Sequence, residues 1–183
     1  MKNNEKRNFR LKMNLACSKD ELRPVMSFVC FDNGYMVATD AHIVIKAKVT
    51  SFSHFTDEEV EILNGKYLSS DTFKKVLACK HVVVTDEGII DLNTKVCYVY
   101  ASKEDLGGEY PNYESVLLKS ELLEIDKIGI KPAIAKKLFT IISTSDFNNC
   151  VLNFRGKNKA ITISHSDLLE SDFTAILMPT MIS

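Results

Sequence analysis

Residues 23–49, RPVMSFVCFDNGYMVATDAHIVIKAKV, decide the fold. Three apolar runs, SFVCF, YMVA and IVIKAKV, are interrupted by Asp32-Asn33-Gly34 and by Thr39-Asp40-Ala41-His42, the spacing of an antiparallel meander with two tight turns. Asn33-Gly34 supplies positive φ for the first reversal at little steric cost. The second corner is richer than a reversal requires, because Thr39, Asp40 and His42 place three hydrogen-bonding side chains between two apolar strands. Two readings stay open for it: a turn whose side chains satisfy their own backbone, or the rim of a binding site.

Upstream, Phe9, Leu11, Met13 and Leu15 alternate with other residues, which predicts a strand entering the core behind a polar, basic and flexible terminus at residues 1–8. Pro24 then turns the chain into the meander. Downstream, residues 50–64 are acidic and polar, a loop with one short helix starting near Asp57.

From Gly65 a unit occurs twice. Tyr67-Leu68 closes a short strand, Ser69 or Ser70 can cap a helix, and Phe73, Val76 and Leu77 form its apolar stripe. Strands at 81–85, 89–92 and 95–101 follow. In the second pass, residues 122–130 are expected to be extended. Pro132 suits the first turn of a helix whose stripe is Ile134, Leu138, Ile141 and Ile142. A hairpin at 149–154 and 160–164 and a strand at 173–178 complete it. The expected fold class is α+β: repeated βαβββ units with antiparallel sheets and helices on one face.

Composition bounds the function. The 183 residues carry 45% hydrophobic and 26% charged side chains and a net charge of −1, ordinary for a globular protein and without a global pull toward polyanions. Five widely spaced cysteines with no CxxC pair read as reduced core residues, and the four histidines show no metal-ligand spacing with them. No metal or cofactor is expected. No run approaches a membrane span and the basic start lacks a signal-peptide core, so the expected location is the cytoplasm.

Charge repeats at one place. Phe73-Lys74-Lys75-Val76-Leu77 in the first helix answers Ala135-Lys136-Lys137-Leu138-Phe139 in the second. With both helices on one face of a sheet, their outward sides would form a basic surface. On the pattern alone, lysines on an exposed helix face are simply solvated.

Three segments carry a resemblance. Arg23-Pro24 with the meander and Ala38-Thr39-Asp40-Ala41-His42, then Tyr110-Pro111-Asn112-Tyr113-Glu114-Ser115-Val116-Leu117, then Ile176-Leu177-Met178-Pro179-Thr180-Met181, resemble in order the ATDGHR-type corner, the FPDYxxVLP segment and the VVMPMRL-type tail of the bacterial DNA polymerase III beta sliding clamp family. The resemblance runs from about residue 23 to residue 183. It implies a clamp-like domain at 9–118 similar to the family's middle domain, and a half-domain at 119–183 similar to the latter half of its last domain. The chain departs from the family in having Ala41 for glycine, Ile43 for arginine, and Thr180 inserted in the tail.

The resemblance further implies a hydrophobic peptide-binding pocket formed by Thr39, Ala41, His42, Ile43, Pro111, Val116, Ile176, Leu177, Met178, Pro179 and Met181. Apolar anchors and flexible methionines suit a groove that accepts several peptides. It implies phosphate-facing roles for Lys74, Lys75, Lys136 and Lys137 on duplex DNA, without sequence reading. The expected function is that of a sliding-clamp-like processivity factor or replication accessory protein. It would tether DNA polymerase or other replication and repair proteins through short linear peptides, with self-association if a ring forms. The alternative is a monomeric peptide-binding adaptor or decoy that keeps the pocket without encircling DNA. Catalysis is not expected: Asp40 and His42, even with Asp71 or Glu114, have no nucleophile elbow, phosphate loop or metal motif beside them.

Overall fold

The computed structural model describes residues 6–116, 122–125, 127–143, 149–165, 168–169 and 171–181. β1 (Phe28–Asp32), β2 (Tyr35–Thr39) and β3 (Ile43–Lys48) pair antiparallel as the meander predicts. Asn33 and Gly34 have φ of 48° and 81°, so the two-residue reversal has positive φ at both positions, which matches the right-handed twist of the strands.

The rest of the chain adds α1 (Asp57–Leu63), β4 (Tyr67–Ser69), α2 (Ser70–Ala78), β5 (Val82–Val84), β6 (Gly88–Asp91), β7 (Cys97–Val99), α3 (Pro132–Ile142), β8 (Cys150–Asn153), β9 (Ile161–His165) and β10 (Phe173–Leu177). Ser69 caps α2 by accepting from the Thr72 amide, and Pro132 opens α3 at a position whose amide has no helical partner to lose. Thr56 and Glu59 form a reciprocal capping box on α1.

Both sheets are antiparallel. The larger runs β4-β1-β2-β3-β10-β9-β8, and the smaller runs β5-β6-β7. The two βαβββ passes therefore differ in placement: the first sets its last three strands in a sheet of their own, while the second adds them to the meander. Their joint is β3 against β10, where Ile43 pairs with Leu177 and Val44 with Ile176. The expected division at residues 118/119 lies outside the described residues, and the seven-stranded sheet draws strands from both sides of it.

Both long helices cover one face of that sheet. Met36, Ala38, Ile43, Ile45, Ala175 and Leu177 point inward from the strands to meet Phe73 and Val76 of α2 and Leu138, Ile141 and Ile142 of α3 in one buried cluster. Val82, Val84 and Ile89 of the small sheet join it.

Two sequence expectations fail here. Residues 9–16 form no strand. Phe9, Leu11 and Met13 are buried, but the segment crosses the helix layer, with a 3-10 turn at Met13–Leu15 touching both α2 and α3. Its alternation reports one-sided burial rather than strand pairing. Nor do residues 6–8 belong to a flexible terminus. Arg7 pairs with Glu59 and donates to the Val82 carbonyl at 2.6 Å. Buried Asn8 donates to the carbonyls of Val76 and Cys79 at 2.6 and 3.0 Å, satisfying groups at the open end of α2. Among the described residues of 122–130, the extended expectation reduces to one bridge, Gly129 to Thr180.

Candidate functional site at the sheet corner

The polar corner is first a self-satisfying turn. The Thr39 hydroxyl donates to the Ile43 carbonyl at 2.8 Å and accepts from the Ala41 amide at 3.1 Å. Asp40 Oδ1 accepts from the amides of His42 and Ile43, both at 2.9 Å, and its other oxygen is bound by Lys137 of α3. These bonds hold Ala41 at φ 71°, a conformation that a residue with a Cβ adopts only under constraint.

The corner also touches the end of the chain. As β10 leaves the sheet, the Met178 amide donates to the His42 carbonyl at 2.9 Å, and two residues on, the Thr180 amide donates to the Gly129 carbonyl at 2.8 Å. The tail thus lies between the corner and the segment that opens α3.

The sheet face turned away from the helices carries a smaller apolar island of Cys30, Val37, Val44, Tyr113, Ala160 and Ile176, bordered by Tyr35, Tyr67 and Tyr110. The segment around Tyr110 and Tyr113 is fastened across it. The Tyr110 hydroxyl lies 3.2 and 3.4 Å from the carbonyls of Val37 and Phe28, and Tyr113 donates to Asp32 at 2.7 Å. Lys46 pairs with Glu114 at 3.1 Å and sits 4.5 Å above the Tyr35 ring. Burial pushes both the Tyr110 and Tyr113 phenols above their ordinary range, and the bond to Asp32 reinforces the effect on Tyr113. Burial likewise pushes the Cys30 thiol up to about 12.

The predicted pocket residues divide by strand alternation. Ile43 and Leu177 are 0% and 1% exposed and face the helix-side core, so they cannot line an outer groove; their neighbours Val44 and Ile176 take the outward positions. Ile176 is itself covered by the island. Thr39 is buried and used by the turn. Met178 and Met181 are 40% and 77% exposed, Val116, Ala41 and His42 are exposed, and Pro111 and Pro179 are half-buried. The sequence reading missed Val44, Ala160 and the two fastening tyrosines. The alternation of β3 was the available signal for Val44. Nothing in the sequence tied residues 110 and 113 to Val37 and Asp32.

Lys74, Lys75 and Lys136 are exposed, whereas Lys137 is half-buried against Asp40. Hollows open on this helix side among the described residues. One, of about 790 Å³, is bordered by Lys6, Arg10, Lys12, His54 and Lys74; another, of about 920 Å³, lies between α2 and α3 and is bordered by Asp40, His42, Asp71, Lys74, Lys136 and Lys137. Among the described residues, no group of three or more His, Cys, Asp or Glu side chains could hold a metal ion, and no helix is long and apolar enough to cross a membrane.

These features define an α+β scaffold with antiparallel sheets, a helical side bearing lysines and an outer side where three distant segments meet. Solved structures make the likeness specific: the scaffold is the sliding-clamp fold. The chain superposes on the DNA polymerase sliding clamp of Bacillus subtilis with a TM-score of 0.62 at 10% identity, covering 100% of this chain and 66% of that one. The DNA polymerase III beta subunit of Borrelia burgdorferi, in complex with a natural product, gives 0.61 at 12% identity over 94% and 61%. A Pseudomonas aeruginosa clamp bound to griselimycin gives 0.60 at 11% identity over 93% and 62%. The chain therefore spans about two thirds or less of the length of these clamps. No family model and no curated protein matches the sequence.

Proposed function

We propose that this chain is a sliding-clamp-like accessory protein of DNA replication that docks peptide motifs on the outer sheet face and meets DNA phosphates with its helix side. The observation that carries this reading is the convergence on one sheet face of segments far apart in sequence. The Met178 amide meets the His42 carbonyl, Ile176 pairs with Val44, and Tyr113 joins them in one apolar island. Val44 and Ile176 form the floor, Met178, Pro179 and Met181 supply adaptable apolar contact, Pro111, Val116 and Ala41 form the rim, and His42 stands at the corner where this face meets the helix-side hollow. On this reading the protein works in the cytoplasm by tethering and is not an enzyme. Thr39, Ile43 and Leu177 shape the site from beneath.

Lys74, Lys75 and Lys136 are the proposed phosphate contacts. A few such contacts give weak, strongly salt-dependent binding, so retention on DNA requires self-association into a closed ring. The engagement of Lys137 with Asp40 thins the basic surface while leaving the outer face intact, which favours a monomeric peptide-binding adaptor as the second reading.

Calorimetric titration with griselimycin tests the outer site. Binding by the wild type, and its loss in the double variant M178A/P179A, are expected; equal affinity in both would remove the groove from the proposal. Light scattering together with salt-dependent retention of duplex DNA separates the two readings. A monomer at high concentration that does not retain DNA leaves the adaptor.

A further inference from the structure

Lys137 and Asp40 stand apart from the roles so far described. Lys137 projects from the flank of the α3 stripe that carries the buried Leu138, Ile141 and Ile142, and its ammonium meets the one carboxylate that organises the corner. Asp40 spends its other oxygen on the amides of His42 and Ile43. The His42 carbonyl, fixed by that turn, holds the Met178 amide. The tail is then tied back to the approach of α3 by Thr180 and Gly129. These bonds close a circuit from helix to corner to tail to helix, so the exposed Met178 is placed by a charge on the opposite side of the sheet.

We infer that Lys137 and Asp40 are a positioning pair that sets the height and direction of the tail residues Met178 and Pro179 at the outer docking face. This assigns Lys137 to the corner and removes it from phosphate contact. An ammonium bound by a carboxylate offers little net charge to a polyanion, and it would have to leave Asp40, which then loses its charge partner, to reach a phosphate. The pair is partly exposed on both sides, so its contribution lies in geometry more than in stability. Met178 benefits because it is the first residue past the β10 ladder, where a backbone amide has only the corner carbonyl to hold it.

The docking consequence rests on the proposed function, whereas the placement of the tail does not, and the experiment separates them. Amide hydrogen exchange is measured by NMR on the full chain for wild type, K137M, K137R and D40N. K137M and D40N are expected to speed exchange at Met178 by about tenfold while leaving Ala175, in the middle of β10, unchanged, and K137R is expected to restore protection. Unchanged exchange at Met178 in K137M and D40N, or equal acceleration at Met178 and Ala175, would overturn the inference, the latter because it marks a general loss of stability. With griselimycin as the probe, K137M is expected to bind about tenfold more weakly than wild type and K74M to bind equally well. If the wild type does not bind the probe, the outer-site reading fails while the exchange result still decides the positioning pair. If K137M binds as wild type does, the pair has no part in docking.

Discussion

The two faces of the seven-stranded sheet are built by different rules. The helix side is a continuous apolar layer in which Phe9 packs against Phe31, Phe55 and Phe73 at ring distances of 5.6, 4.9 and 5.0 Å. The outer side is a small island held down by tyrosine hydroxyls and one Lys46–Glu114 pair, with methionines left exposed at its edge. A face that buries everything specifies the fold. A face that buries only its centre can retain its shape and still offer contact area at the margin.

The sharpest way to break this contrast is to truncate one large side chain on each side. F73A is expected to destabilise the protein by about 3–5 kcal/mol, because Phe73 is fully buried among rings and helices that relax only in part. M178A, at an exposed margin, is expected to change stability by no more than about 0.5 kcal/mol. Urea denaturation of both variants checks the pair. Comparable losses would show that the outer margin is part of the core.

Alkali should act next, and on the outer side. The phenols of Tyr110 and Tyr113 have folded pKa values raised above the ordinary tyrosine value, first by burial. The unfolded chain therefore releases these protons more readily. The stability they contribute is full below about pH 10 and is lost as pH rises from there toward the folded values. The urea midpoint is expected to fall between pH 9 and 11, and Y113F, which cannot ionise, is expected to flatten that fall. On the helix side Glu59 behaves oppositely. Burial pushes its carboxyl up, but the bonds from Arg7 and from the Thr56 and Val84 amides outweigh burial and hold it below the usual range. Its contribution is present above its ordinary pKa and is lost as pH falls through the lowered value.

The smallest expected effect lies at the corner that joins the faces. Ala41 carries its Cβ at φ 71°, and glycine removes that steric cost while adding freedom to the unfolded chain. A41G is expected to be more stable by about 0.5 kcal/mol, measured by thermal unfolding. A loss of stability would mean that the turn bonds, rather than the backbone, tolerate the Cβ without strain.

Much of this molecule was legible before its structure. Asn33-Gly34, the three apolar runs of the meander, Ser69, Pro132 and the stripe of α3 each report a local rule, and each element formed where that rule placed it. Residues 9–16 misled because alternation encodes which side is buried and says nothing about a hydrogen-bonding partner. The geometry of the proposed docking residues was only partly legible, for a related reason. The segments that gather on the outer face were recognisable by resemblance, but which members face outward depends on the pairing of β3 with β10. Val44 and Ile43 exchange roles on that pairing alone. The fate of Lys137 was invisible, since helical spacing places it beside the stripe and only the tertiary position of Asp40 turns it into a partner.

The joint between β3 and β10 carries one more consequence, in time. Its two strands, Ile43–Lys48 and Phe173–Leu177, lie far apart in the sequence, yet they sit side by side near the centre of the large sheet. Closing so long a loop delays the reward for pairing, so the β4-β1-β2-β3 half can assemble early while the union with β10 is a late event. Until then β3 presents an open edge of unpaired amides and carbonyls. A chain stalled at that stage would be prone to join another copy of itself through the very register that Leu177 and Ile176 later occupy.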